Sequence, residues 1–178
     1  NDTYYKTGVW KKFPGYCTDV WFDEALQWIE DKKEKRFFAY ISTNAPHAPL
    51  LDPPIYRDRV LKLLVDVDER YREKAANFLG MVENIDDNFG RLMKKLDDKG
   101  IRDNTLVVYT SDHGDLLRSH GIHDWHKSVP EHVSSRVPLI LRWPGRLSPR
   151  VSDMLVGTMA LMPTLLGLLG IQPPETWQ

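Results

Sequence analysis

The stretch "TLVVYTSDHGD", residues 105–115, joins a short apolar run to a cluster of polar side chains. Residues 105–110 have the β-branched and aromatic composition of a buried strand. Asp112, His113, Gly114 and Asp115 follow at once. Two more runs of this kind, "RFFAYIST" (36–43) and "VPLILRW" (137–143), predict two further strands.

Helical patterns alternate with these runs. Thr18 or Asp19 can cap a helix that continues to about residue 31, and the apolar residues 158–169 predict a packed helix with Pro163 near its start. A longer helix is predicted over 68–98, where apolar side chains at alternating spacings of four and three form one stripe: Tyr71, Ala75, Phe78, Val82, Ile85, Phe89, Leu92 and Leu96. Residues 1–17 show no clear periodic element. The alternation predicts an α/β fold with a mostly parallel sheet and flanking helices.

The polar residues after the predicted strands are candidates for a site. In parallel sheets, the loops at the carboxyl ends of the strands carry the ligand-binding residues. His47 follows the first predicted strand, and Asp112 with His113 follows the second. A carboxylate and an imidazole can bind one divalent cation, and Lys127 suits an oxyanion substrate. Taken singly, each of these residues is more often a turn former or a surface residue.

Composition excludes several classes of protein. The 178 residues have a net charge of −1, so nucleic acid and anionic membranes are poor partners. No apolar run is long enough for a membrane span. Cys17 is the single cysteine, which excludes an internal disulfide and a cysteine-based zinc site.

Several motifs resemble the sulfatase family of the alkaline phosphatase superfamily. They are "YTSDHGDLLRSHG", the lysine of "WHKSV", and "SRVPLILRWPG". "GYCTDVWFDEALQWI", "FFAYISTNAPHAPL" and "LMPTLLGLLGI" extend the resemblance over nearly the whole chain, in the family's order. Bacterial arylsulfatases and glycan sulfatases are the members whose pattern is most similar.

The resemblance implies roles for individual residues. Asp112 and His113 match a pair of metal ligands, with His113 at a place often held by asparagine. Lys127 matches the lysine that contacts the sulfate ester, and His47 matches the histidine that binds sulfate and can protonate the leaving group. The implied metal is Ca²⁺, with Mn²⁺ or Mg²⁺ as alternatives. His123 is a further candidate for substrate contact.

Other matches and departures concern the flanking residues. Arg136 and Pro138 match a structural Arg-Val-Pro, whereas His126 has no general counterpart. Arg118 stands where the family usually has glycine. His132 stands where the family tends to have glutamate, with Glu131 one position earlier, so a local slip in the match of Lys127 stays open.

The family's nucleophile motif, Cys/Ser-x-Pro-x-Arg, does not occur in this sequence. Cys17 lies in "CTDVW", which has neither the proline nor the arginine. We therefore expect residues 1–178 to be a single, partial sulfatase catalytic domain, truncated at both ends. It would lack the N-terminal segment, with the formylglycine nucleophile and the first metal-binding aspartates, and the C-terminal subdomain. Such a chain should be inactive alone, bind metal weakly or not at all, and self-associate through an exposed sheet edge.

The sequence thus predicts part of a sulfuric ester hydrolase acting on a sulfated small molecule or glycan. The resemblance suggests a periplasmic or secreted protein. Two alternatives remain open. One is a phosphonate or phosphodiester hydrolase of the same superfamily, and the other is a non-catalytic domain that binds sulfated glycans.

Overall fold

A computed structural model describes residues 2–32, 35–119, 127 and 129–172. These residues form two compact units, the first ending at Arg102 and the second beginning at Asp103. Each unit is described by itself below.

The first unit begins with an antiparallel hairpin of β1 (Thr3–Lys6) and β2 (Val9–Lys12). Thr7 and Gly8 connect the strands with φ angles of 49° and 88°, the left-handed pair that two-residue hairpin turns require. The expectation that residues 1–17 hold no regular element is therefore wrong. Both faces of these strands mix polar and apolar residues, so the sequence shows no alternation of polarity that would indicate a strand. The two-residue connection that ends in glycine was nevertheless a signal for a hairpin.

Three helices follow: α1 (Cys17–Lys32), α2 (Pro54–Leu61) and α3 (Glu69–Asp98). The predictions of α1 and α3 are confirmed. The carboxylate of Asp68 caps α3 by accepting a hydrogen bond from the Arg70 backbone N–H at 3.0 Å. The helix α2 was not predicted. The consecutive prolines that precede it indicate a loop, although proline is well tolerated in a first helical turn.

The helix α3 packs through a row of small and amide side chains. Ala76, Gly80, Asn84 and Asn88 are buried at intervals of four residues. The Nδ2 atoms of Asn84 and Asn88 donate to Asp19 Oδ1 of α1, at 2.9 and 2.7 Å. A buried amide that lost its hydrogen-bond partner would lower the free energy of unfolding by about 1–3 kcal/mol. Because Asp19 accepts from both amides, it holds α1 in register with α3.

This packing corrects the predicted apolar stripe on α3. Of the eight residues in that stripe, Leu96 alone is buried, and Val82 is 37 % exposed. Residues as small as alanine and glycine let a neighbouring segment of the chain approach the helix closely. A prediction from hydrophobic periodicity does not count asparagine as a buried residue. The buried row therefore lies beside the stripe instead of along it.

Residues 36–43, predicted as a buried strand, pair with no segment that the structure describes. Phe38 and Tyr40 are 75 % and 81 % exposed. A strand exists only where a neighbouring strand supplies hydrogen-bond partners, and a sequence pattern does not say whether that neighbour is present. The predicted parallel pairing of this segment therefore stays a prediction.

The second unit contains β3 (Val107–Thr110), the short helix α4 (His132–Ser135), β4 (Leu139–Arg142) and α5 (Leu161–Leu169). The positions of both strands and of α5 are confirmed. The pairing of β3 with β4 is antiparallel, with Val107 opposite Arg142, whereas we expected a mostly parallel sheet. Consecutive strands pair antiparallel when the chain returns without crossing over the sheet, and strand composition alone does not distinguish the two connections.

The end of the second unit leaves apolar side chains in solvent. Val151, Leu155 and Met159 are each more than 90 % exposed, and α5 buries none of its residues. Exposed apolar surface of this kind favours association, but self-association itself stays a prediction. None of the helices in the described part of the chain is both long and apolar enough to cross a membrane.

Candidate active site

The loop after β3 holds Asp112 and His113 in a fixed local geometry. The backbone N–H of His113 donates to Asp112 Oδ1 at 2.9 Å. The Ser111 hydroxyl donates to the His113 carbonyl oxygen at 2.9 Å. Both bonds lie within the loop, so the strand end and its own side chains set the direction of the carboxylate and the imidazole.

Gly114 fixes the loop against α4. Its backbone N–H donates to the Ser134 carbonyl oxygen at 2.8 Å. A Cβ at this position would overlap the Val133 carbonyl oxygen and lie 3.3 Å from Ser134 Cα. Ser134 is itself buried, and its hydroxyl donates to the carbonyl oxygens of Glu131 and Val129. Glycine is thus required at position 114, because the backbones of the loop and of α4 approach each other too closely there for a side chain.

The hydrogen bond of the His113 ring defines its tautomer. Nδ1 lies 2.8 Å from the Gly114 carbonyl oxygen, which can only accept, so Nδ1 carries the proton. In the neutral ring Nε2 then has the lone pair, and it lies 3.6 Å from Asp112 Oδ2. Two ligands that each approach a cation to about 2.0–2.6 Å are at most about 5 Å apart, so this separation fits a shared ion.

The electrostatics of the loop favour an ionised Asp112. Partial burial acts to raise the pKa of this carboxyl group. The backbone N–H of His113, the His113 ring and the Ser111 hydroxyl together outweigh it, and the pKa lies below its ordinary value. Its side chain is 85 % exposed, so a cation can reach it. Asp112 is therefore available as a carboxylate ligand at neutral and mildly acidic pH.

In the first unit, His47 has the same ring arrangement as His113. Its Nδ1 lies 2.7 Å from the Ala48 carbonyl oxygen, which can only accept, so in the neutral ring Nε2 has the lone pair and can take up a proton. The His47 backbone N–H donates to the Asn44 carbonyl oxygen at 2.9 Å, so residues 44–47 form a turn. The side chain is exposed, and its Nε2 can meet a ligand from solvent.

The remaining predicted residues are less defined. Lys127 is exposed and has no ion pair with any residue that the structure describes. His123 and His126 lie outside the described residues. Arg136 follows α4, where its backbone N–H donates to the His132 carbonyl oxygen at 2.8 Å. Within residues 2–32, 35–119, 127 and 129–172, no group of three or more His, Cys, Asp or Glu could hold a metal ion.

The supporting residues of this loop were not predicted from the sequence. Ser111 anchors the His113 carbonyl oxygen, and Ser134 receives the Gly114 N–H through its backbone. The signal for Ser111 was its place directly after the strand, where a hydroxyl can bond to a neighbouring turn. No pattern signalled Ser134, because its contact depends on the backbone of α4.

The family model for sulfatases matches residues 1–171. The chain belongs to the sulfatase family. Among curated relatives, it is 33 % identical over 156 residues to an endo-4-O-sulfatase of Bacteroides thetaiotaomicron, covering 80 % of this chain and 30 % of that protein. The chain spans about a third of the length of the curated relatives it matches.

Solved structures of related proteins show which fold the chain has. The chain aligns with Ps i-CgsB, solved in complex with k-i-k-neocarrahexaose, at 28 % identity and a TM-score of 0.70, covering 96 % of this chain and 38 % of that one. It aligns with a phosphonate monoester hydrolase from Silicibacter pomeroyi at 24 % identity and a TM-score of 0.78, covering 92 % and 40 %. The sulfatase chain is therefore part of an alkaline phosphatase-like α/β fold.

Proposed function

We propose that this chain is the segment of a sulfuric ester hydrolase that supplies two metal ligands and two groups that hold the sulfate. The observation that carries the proposal is the Asp112–His113 pair at the end of β3. A carboxylate with a lowered pKa stands 3.6 Å from an imidazole nitrogen that bears a lone pair. This pair occurs in a chain that matches the sulfatase model over nearly its whole length.

The two ligands fit a divalent cation as part of a larger set. Asp112 contributes an anionic oxygen and His113 contributes a neutral nitrogen. These two ligands by themselves suit Ca²⁺ poorly, but with further oxygen ligands the set can bind Mn²⁺, Mg²⁺ or Ca²⁺. A bound cation supplies positive charge that stabilises anionic oxygen atoms. The other ligands and the formylglycine nucleophile are proposed to come from segments outside this sequence.

His47 and Lys127 are proposed to act on the sulfate ester. The Lys127 ammonium group donates hydrogen bonds to the sulfate oxygens. Its positive charge offsets their negative charge while the S–O bond to the leaving oxygen lengthens. The protonated His47 ring donates the proton on Nε2 to that oxygen as it takes the electron pair of the S–O bond. The hydrogen bond from Nδ1 to Ala48 keeps the ring oriented for this transfer.

The longer protein should hydrolyse sulfate esters in preference to phosphorus esters. We expect its kcat/KM for an aryl sulfate to exceed that for a phosphonate monoester or a phosphodiester by on the order of 100-fold. The same assay on the 178-residue chain alone should give no turnover, because a carbonyl hydrate is the nucleophile and this sequence has no motif to form one.

The comparison of rates separates the alternatives. A preference for the phosphonate would assign the chain to a phosphonate hydrolase, the class of the Silicibacter pomeroyi protein. Retention of a sulfated glycan with no turnover by the longer protein would favour the non-catalytic binding domain. Turnover by the pure 178-residue chain that Lys127→Ala abolishes would contradict the proposed missing nucleophile.

The isolated chain should bind Mn²⁺ weakly through Asp112 and His113. With two protein ligands, the dissociation constant is expected to be on the order of 1 mM. Paramagnetic broadening of the His113 ring signals in NMR spectra measures this binding. Asp112→Asn should abolish the broadening, whereas Asp153→Asn, an exposed carboxylate of the same unit, should leave it intact. Micromolar binding, or equal effects of the two variants, would contradict this ligand set.

A further inference from the structure

The hairpin at the start of the chain has two chemically different faces. Because side chains alternate between the faces of a strand, cross-strand pairs share a face. One face is packed: the Tyr4 ring lies 4.9 Å from the Trp21 ring, centroid to centroid, and Lys6 forms an ion pair with Glu24. The opposite side, called the outer face here, consists of the pairs Thr3 with Lys12 and Tyr5 with Trp10.

The outer face exposes two adjacent aromatic rings. Tyr5 is 63 % exposed and Trp10 is 70 % exposed. Their ring centroids are 5.4 Å apart, with an angle of 61° between the planes. The turn at Thr7 and Gly8 fixes the register that places the rings side by side. The result is an aromatic surface open to solvent, the type of patch that marks an interaction site.

The charge of the hairpin is as distinctive as its aromatic surface. Residues 3–12 contain three lysines and no acidic residue, in a chain whose net charge is −1. Lys6 is neutralised by Glu24, and Lys11 lies over the Phe13 ring at 5.2 Å. Lys12 lies on the outer face and forms no ion pair within the described part of the chain. One cation is therefore available beside the two rings.

We propose that the outer face binds a sulfated polysaccharide. The flat C–H faces of sugar rings stack on Tyr5 and Trp10, and Lys12 donates hydrogen bonds to a sulfate group. The polymer class rests on the proposed function, but the binding uses none of the residues assigned to hydrolysis. The hairpin would hold a polymeric substrate to the enzyme by a second point of attachment.

Affinity electrophoresis of the 178-residue chain tests this inference. Gels that contain dextran sulfate should retard the chain, and gels with unsulfated dextran should not. Trp10→Ala and Lys12→Ala should each weaken retardation by roughly tenfold in apparent affinity, as expected for an anchor residue. Trp10→Phe keeps a ring and should restore most of the binding, so a general loss of structure is distinguished from the loss of the aromatic surface.

Two control variants match these changes. Tyr40→Ala removes an aromatic ring that is 81 % exposed in the same unit, and Lys62→Ala removes an exposed lysine. Neither should change the retardation. Unchanged binding in Trp10→Ala and Lys12→Ala, or equal retardation by both dextrans, would overturn the inference. Full displacement of the polymer by single-stranded DNA would overturn it in favour of a nucleic-acid surface.

The readout keeps this inference separate from the proposed function. Retardation needs no turnover, so the chain can pass this test even if the longer protein hydrolyses no sulfate ester. Conversely, a longer protein that hydrolyses aryl sulfate while Trp10→Ala leaves the retardation unchanged would overturn the hairpin inference alone.

Discussion

Gly114→Ala is expected to lower the free energy of unfolding of the second unit by about 2–4 kcal/mol. The added methyl group would overlap the Val133 carbonyl oxygen, which belongs to the backbone and has no rotamer by which to move away. Relief requires the loop and α4 to separate, and that separation breaks the bond from the Gly114 N–H to the Ser134 carbonyl oxygen. Hydrogen exchange over residues 107–116 and 129–142 measures the loss.

Gly167→Ala is the matched control in the same unit. Gly167 lies inside α5, and a Cβ there would meet no atom within 4 Å. Alanine in a helix interior is favoured over glycine by about 0.5–1 kcal/mol, so this variant should be slightly more stable than the parent chain. If the two alanine variants have equal protection from exchange, the loop after β3 is not held against α4 in solution.

Much of the local structure could be predicted from the sequence, because it depends on local patterns. The helix α3 begins after its Asp68 cap and ends one residue before Lys99, close to the predicted bounds of 68–98. The strands β3 and β4 lie inside the predicted apolar runs. Caps, glycine stops and continuous apolar runs are properties of a few adjacent residues, so they can be recognised without knowledge of the fold.

The errors share a different physical origin. The buried row of α3 depends on Asp19, which is 65 residues from Asn84 in the chain. Residues 36–43 pair with no segment that the structure describes. Such contacts are set by which elements meet, and periodicity in one segment carries no information about the partner. The antiparallel pairing of β3 with β4 is a result of the same kind.

The local geometry of the candidate site depends on adjacent residues, whereas the roles of these residues stay predictions. The adjacency of Asp112 and His113 after a strand is a local feature, and the structure brings the two side chains to 3.6 Å. The tautomer of His113 depends on the Gly114 carbonyl oxygen, again a neighbour in sequence. The roles of His47 and Lys127 depend on how distant loops come together around a substrate, and they remain predictions from the family resemblance.

Asp112→Ala in the longer protein is expected to lower kcat/KM for an aryl sulfate by about 10³-fold. The substitution removes the proposed anionic ligand and also the acceptor of the His113 backbone N–H, so the imidazole loses its fixed direction. Asp112→Asn keeps that acceptor and loses only the charge. It should therefore retain more activity than Asp112→Ala and recover further as Mn²⁺ is raised, because excess metal offsets weakened binding by mass action.

His113 allows a graded test of the same ligand set. His113→Ala removes the proposed ligand nitrogen and should lower kcat/KM by roughly 100-fold. His113→Asn places an amide oxygen where the imidazole nitrogen stood, and asparagine is the residue that the family resemblance suggests for this position. This variant should stay within about tenfold of the parent enzyme, because oxygen ligands serve Ca²⁺ and Mg²⁺ well. Its metal preference should shift from Mn²⁺ toward Ca²⁺, since the nitrogen ligand that favours a transition metal is gone.

Rates measured with each of the three metals report this shift, and the direction of the shift separates a lost ligand from a damaged loop. A damaged loop would lower the rates with Mn²⁺, Mg²⁺ and Ca²⁺ alike, whereas a changed ligand atom alters their order.

Asp153→Asn, which changes an exposed carboxylate of the same unit, should leave every rate unchanged. If Asp112→Ala stays within about threefold of the parent enzyme, the carboxylate does not bind the catalytic cation. If His113→Ala also stays within about threefold of the parent enzyme with all three metals, the imidazole is not a metal ligand, because the variant has no side-chain atom that could replace it.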